Sequence, residues 1–280
     1  MKYITILFLF NSIFIQAQND TLQLKLDSIV NEADLLYQYE KAAWNSSDIM
    51  NENKLISESF GGYFVYHQND SIKVVYFDKS LNQSIGKFTY LKNQYRVPLK
   101  FESDIKNLNE EEKKHAQVRT NFISYLNTNI SSFNYVYEEG FTPNIVIIPQ
   151  MGGYRAYLIM GANVLNVIPF GNDYIFILDE SGNIIHWKKF HNSLIKTIVK
   201  DESGNNVISF IHSHLPMTPY ISATDICTFR LYGADLFGKE SFIVSSTALD
   251  LLFEYNVKTN NVRYFDADQI SQIMKNNIVD

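Results

Sequence analysis

The tightest constraint on how this chain folds is a four-residue pattern: His212-Ser213-His214, seven residues, Ser222, two residues, Asp225. On a strand, positions two apart share a face, so both imidazoles converge on one point if this segment is extended. Serine is a preferred helix N-cap, and a helix starting at Ser222 carries Asp225 in its first turn. A strand running into a helix thus delivers two neutral nitrogens and one carboxylate oxygen to a single place. Three such ligands with a fourth position open to water describe a catalytic zinc better than a structural one. Imidazole and carboxylate also accept iron, manganese or nickel, so the donor set points to a divalent transition ion with zinc foremost. Two histidines on a strand face are ordinarily satisfied core or surface residues. The full pattern, by residue frequencies, arises by chance in well under about one chain in a hundred.

The chain has the material to build around such a site. Its 280 residues suffice for one large domain or two modest ones, and a charged fraction of 19% against 46% hydrophobic excludes a disordered chain. The first residues, MKYITILFLFNSIFIQAQ, place Lys2 before an apolar run from Ile4 to Ile15 and a small residue at Ala17, the layout of a secretory signal peptide over residues 1–17. The run falls short of the roughly 18–20 apolar residues that a bilayer demands, so no membrane span is expected after cleavage. No cysteine follows it to carry a lipid, which makes the expected product an exported periplasmic or extracellular protein and not a lipoprotein. Loss of Lys2 moves the formal charge from −6 to −7, which offers no general field for nucleic acid. Cys227, the single cysteine, has no disulfide partner within the chain and reads as a small buried apolar group.

Periodicity divides the mature chain into two textures. Over residues 18–132, Thr21 to Trp44 reads as an amphipathic helix. Gly61–His67, Ile72–Asp78 and Lys87–Leu91 read as a small meander, and Asp104–Asn127 as a polar helix whose Glu110-to-Lys114 charge run forms a solvated face. Over residues 133–280, strand signals dominate: Phe133–Tyr137, Asn144–Ile148, Ala156–Met160, Val164–Ile168, Tyr174–Leu178, Ile184–Lys189 and Val207–His212. A helix follows from Ser222 to Leu236, and then Phe242–Ser246, Leu251–Tyr255 and Val262–Phe265. Gly161–Asn163 and Asp179–Asn183 read as hairpin turns. The expected class is α+β, an N-terminal helix-plus-small-sheet region packed on a C-terminal α/β domain. The 18 tyrosines and 20 phenylalanines follow strand positions throughout, so they read as sheet packing and not as a sugar-binding surface.

The second half, roughly 150 residues, resembles the JAMM (JAB/MPN) metalloprotease family, whose signature is His-x-His followed by Ser-x-x-Asp at this spacing. The likeness continues through "HSHLPMTPYISATDI", the helix "CTFRLYGADLF" and the strand "SFIVSS", with "RAYLIMGA" ending in Gly161 as the upstream strand. The resemblance implies a zinc-dependent hydrolase acting on a peptide or isopeptide bond in a peptide or protein substrate. His212, His214 and Asp225 would be its metal ligands, and Ser222 would hold the tetrahedral intermediate; Ser222 equally serves as the N-cap of the helix bearing Asp225.

Two departures stand out. Leu215 replaces the proline that usually follows the second histidine, and Tyr154 stands where relatives carry the general-base glutamate. Loss of that acid/base step costs about 10²- to 10⁴-fold in rate. Glu180, in a turn, is the first substitute candidate, followed by Glu138 and Glu139; each has surface solvation as its ordinary reading. His186 and His191 can act as base or extra ligand, although such histidines are more often half-buried strand residues. The rival expectation is a module that keeps the ligands without turnover.

Overall fold

The computed structural model describes residues 2–56, 58–207, 209–266 and 268–269. Side chains are described from Asp20 onward, so the signal-peptide expectation for residues 1–17 concerns side chains outside the described ones. Among the described residues, no helix is long and apolar enough to cross a membrane.

Helix α1 (Lys2–Glu52) buries Leu26, Val30, Ala33, Leu36 and Ala43, the stripe that its 3.6-residue spacing predicts. It runs past Trp44 because its polar segment finds partners: the Ser46 and Ser47 hydroxyls meet those of Tyr90 and Tyr76 at 2.9 and 2.7 Å, and Met50 resumes the buried stripe. The strands β1 (Phe60–Gln68), β2 (Ser71–Asp78) and β3 (Gln83–Leu91) form an antiparallel meander, with β4 (Lys100–Glu102) and β5 (Lys106–Asn107) both paired to β3.

Helix α2 (Glu110–Asn129) starts six residues later than its polarity suggested, because Asn109 and Glu112 cap each other reciprocally: Glu112 N donates to Asn109 Oδ1 at 2.9 Å and Asn109 N to Glu112 Oε2 at 3.0 Å. Glu112 is also buried against Lys87 at 2.7 Å, so it leaves the solvated charge run that Glu110, Lys113 and Lys114 keep.

The next sheet runs β10 (Ile184–Lys189), β9 (Tyr174–Leu178), β7 (Gly153–Ala162), β6 (Phe141–Gln150), and β8 (Val167–Gly171) pairs separately with β11 (Leu194–Ile198). Residues 133–137 are not a strand. A 3₁₀ turn, Ile130–Phe133, ends in Asn134 at φ 54°, and the Phe133 ring packs edge-on against Phe176 and Trp187, so its apolar signal is that of an anchor. The turn expected at Gly161–Asn163 begins later, since Gly161 and Ala162 stay paired to β6 and β8 starts at Val167. Strand β11 carried no sequence signal: it is short, edge-placed and partly exposed.

The last sheet places β12 (Ile211–His214) parallel to β13 (Ser241–Ser246), followed antiparallel by β14 (Leu251–Asn256) and β15 (Asn261–Asp266). Between β12 and β13, the expected single helix divides into α3 (Ala223–Thr228) and a π-helical turn, Phe229–Ala234. The architecture is mixed helix and sheet, as α+β implies. Helix α1 packs on α3 and β15, and Leu26, Leu36, Ile226, Phe229, Val244 and Phe253 share one buried cluster, which fixes α3 between the long helix and the sheet.

Leu36→Ala should therefore cost about 2–5 kcal/mol in urea unfolding, while Leu24→Ala on the exposed face of α1 stays within about 0.5 kcal/mol. Equal losses would contradict this placement of the helix.

Candidate metal centre

Strand β12 alternates exposed and buried positions, which puts His212 and His214 on the same inward face. Asp225 reaches them from the first turn of α3, where it forms a capping box with Ser222: Asp225 N donates to Ser222 Oγ at 3.0 Å and Ser222 N to Asp225 Oδ2 at 2.9 Å. The Ser222 hydroxyl also donates to Oδ2 at 2.7 Å. Ser222 is thus a cap that orients the Asp225 carboxylate, with Oδ1 left free of hydrogen bonds.

A third imidazole completes the group. His191, in the loop between β10 and β11, joins His212, His214 and Asp225 in a buried set whose donor atoms all lie within 4.8 Å of one another and which can hold a metal ion. Its approach depends on Gly171, at φ 78°, where a Cβ would stand 3.1 Å from His191 Cβ and 2.4 Å from the Ser193 carbonyl oxygen. Backbone bonds from Asn172 N to Ser193 O at 3.0 Å and from Phe190 N to Asp173 O at 3.0 Å lock that loop in place. The carboxylate sits centrally: His212 Nε2 lies 3.3 Å and His191 Nε2 3.5 Å from Oδ1, and His214 Nε2 lies 3.2 Å from Oδ2.

For His214 and His191, outer partners fix which nitrogen faces inward. His214 Nδ1 points at two carbonyl oxygens, Thr218 at 2.9 Å and Tyr220 at 2.7 Å, so Nδ1 donates outward and Nε2 is the nitrogen turned inward. His191 Nδ1 donates to Asp173 Oδ1 at 2.7 Å, and the other oxygen of Asp173 takes the Thr224 hydroxyl. These are the outer contacts that metal-ligating histidines usually have.

The consequence is electrostatic. His191 Nε2 and His214 Nε2 stand 2.7 Å apart, too close for two facing lone pairs unless a proton lies between them, and a tetrahedral ion would hold them roughly 3.3 Å apart. Burial pulls the His191 imidazolium down, yet the Asp173 and Asp225 carboxylates outweigh it and push the pKa up to about 9. Burial raises Asp225, and the three surrounding imidazoles more than reverse this, holding its carboxyl well below the usual range. His212 Nε2 and Asp225 Oδ1 face each other without hydrogen-bond partners, an orphaned donor-acceptor pair of the kind a coordinated ion resolves.

The other candidates lie elsewhere. Glu180 is exposed in the turn after β9 and pairs with Lys114 of α2 at 2.8 Å. Glu138 pairs with Lys196 at 2.8 Å, and Glu139 and His186 are exposed. Tyr154, on β7, is buried with its hydroxyl 3.3 Å from His115 Nδ1. Cys227 is fully buried, its thiol pushed up by burial, as its small apolar reading requires.

Comparison of the chain with protein-family models, with curated proteins and with solved structures returns no match. The chemistry of the centre therefore rests on its own residues.

In the metal-free chain, the raised His191 contributes stability that is full below its ordinary value near 6.5 and is lost as pH rises through about 9. Thermal unfolding of metal-stripped protein should show the midpoint falling from pH 7 to 9.5, and added zinc should raise it most at the alkaline end, where no proton has to leave. A flat or rising metal-free midpoint would contradict the arrangement.

Proposed function

We propose that this protein binds one divalent transition ion, zinc foremost, through His191 Nε2, His212 Nε2, His214 Nε2 and Asp225. On this reading it is an exported, JAMM-like metal-binding module without the family's hydrolytic turnover. The supporting observation is the convergence of three inward-facing Nε2 atoms on one carboxylate, with His212 Nε2 and Asp225 Oδ1 unpartnered. Four protein donors fill the tetrahedral set that zinc prefers in structural sites, where the sequence pattern had offered three and an opening. The ion would tie together β12, the loop after β10 and the first turn of α3, three segments distant in sequence, so that its binding free energy becomes folding free energy. The adjacent cavity of about 280 Å³ is bordered by Phe190, Thr218, Tyr220 and Ser222, neighbours of the ligands but none of the four. The carboxylate held against a ligand's outer nitrogen, Asp173, is buried and engaged by Thr224, which suits an orienting role.

One observation favours a second reading. The 2.7 Å bond between His191 and Asp173 is also how a general-base histidine is oriented, which would make His191 the base of a peptide or isopeptide hydrolase and leave three metal ligands. In that case the ion supplies acidity to a water and polarises the scissile carbonyl.

Competitive zinc titration of the full chain separates the two. A four-ligand centre predicts that Asp173→Asn weakens binding by roughly 10- to 100-fold and His191→Ala by more than that, while the loaded protein leaves a peptide library uncut. Unchanged zinc affinity in His191→Ala, together with peptide cleavage that this substitution abolishes, would establish the hydrolase instead.

A further inference from the structure

A second polar site lies away from the metal ligands, between α1, the β6–β7 hairpin and the π-helical turn that follows α3. It is a cavity of about 260 Å³ lined by Glu40, Trp44, Tyr63, Asn144, Gly161 and Tyr232, among others. Glu40 is 5% exposed, and its carboxylate accepts a hydrogen bond from Asn144 Nδ2 at 3.2 Å. Among the described residues, no lysine or arginine forms an ion pair with it. A buried carboxylate without a paired cation is costly, and proteins seldom keep one without a use.

The cation whose charge acts on Glu40 is committed elsewhere. Arg119 stacks over the Tyr63 ring at 4.4 Å and donates Nη1 to the Ile145 carbonyl oxygen at 2.9 Å. It tempers Glu40 from a distance, but burial prevails and pushes the carboxyl up to about 7. Tyr63, Tyr232 and Cys227, the other titratable neighbours, are all held protonated by burial. Lys41 lies 5.2 Å from the Trp44 ring, with its ammonium tied to Asp235 at 2.8 Å.

Around the carboxylate stand aromatic rings. Trp44 and Tyr232 approach with centroids 5.7 Å apart, and the Tyr232 hydroxyl is fixed by accepting from Ala162 N at 3.0 Å. Gly161 keeps the space open: a Cβ there would come within 3.1 Å of Asn144 Nδ2 and 3.4 Å of the Tyr232 hydroxyl. A carboxylate beside π faces recognises a cation through both its charge and the ring quadrupoles. The volume lies below the roughly 300–1,000 Å³ of drug-sized pockets, which sets the size of the ligand.

We propose that this cavity binds a small organic ammonium ion, its charged head against Glu40 and its apolar stem along the wall that Trp44 and Tyr232 form together. The site is independent of the metal centre, and its occupancy leaves the four metal ligands untouched.

The test uses the full chain loaded with zinc and n-butylammonium chloride as probe, at constant ionic strength. The chain has two tryptophans, so Trp187→Phe makes emission report Trp44 alone, and saturation-transfer NMR on the unsubstituted chain provides a second readout. The expected result is saturable binding near the millimolar range, weakened at least about tenfold by Glu40→Gln, with no saturable response to neutral 1-pentanol or anionic butyrate. The comparison of charged and neutral probes needs no substitution and stands even if Glu40→Gln fails to fold. Equal binding of pentanol, equal affinity in a folded Glu40→Gln variant, or no saturable response to butylammonium up to about 100 mM would overturn the proposal.

Discussion

Three imidazoles crowd one buried carboxylate, and the outer hydrogen bonds of two of them dictate which nitrogens face inward. His214 cannot turn its lone pair outward, because Nδ1 is claimed by the carbonyls of Thr218 and Tyr220, and His191 is held the same way by Asp173. Facing lone pairs at 2.7 Å repel, so the interior of this protein needs a positive charge at that point. A proton on His191 meets the need in part; a metal ion meets it at all four donors, including the two that hydrogen bonding leaves unpartnered. Much of the surrounding fold serves to bring these groups together.

The delivery of each ligand has a separate local cause. Strand alternation turns His212 and His214 inward, and a capping box turns Asp225 toward them. Gly171 admits the loop that carries His191. Helix α1 then closes over α3 and shares its apolar core, so the N-terminal half of the chain holds the helix that carries Asp225. The same helix contributes Glu40 and Trp44 to the second polar cavity, where a buried carboxylate has a hydrogen bond but, among the described residues, no ion-pair partner. One long amphipathic element thus supports both sites.

What the sequence disclosed follows from the range of the interactions involved. The convergence of His212, His214 and Asp225 was legible because strand period and helix capping are local rules acting within fourteen residues. So were the turn at Asp179–Asn183 and the extents of β9 and β10. His191 was weighed as a ligand but no local rule selected it, since it sits in a loop 21 residues before His212 and its orientation comes from Asp173 and from packing on Gly171. Asp173 itself carried no sequence signal. Phe133 misled because an aromatic anchor under a turn has the same composition as a strand. The π-helical turn was invisible because its helical signal continues unbroken from α3. The placement of Glu180 beside Lys114 is likewise a tertiary pairing that no spacing rule encodes.

The central claim, that four side chains from three separate segments surround one ion, is tested most directly by anomalous diffraction from crystals of the full chain grown with zinc and collected on both sides of the zinc absorption edge. The account predicts a single strong peak per chain within about 2.0–2.2 Å of His191 Nε2, His212 Nε2, His214 Nε2 and an Asp225 oxygen. No peak at this position, or a peak bound by other side chains, would contradict it.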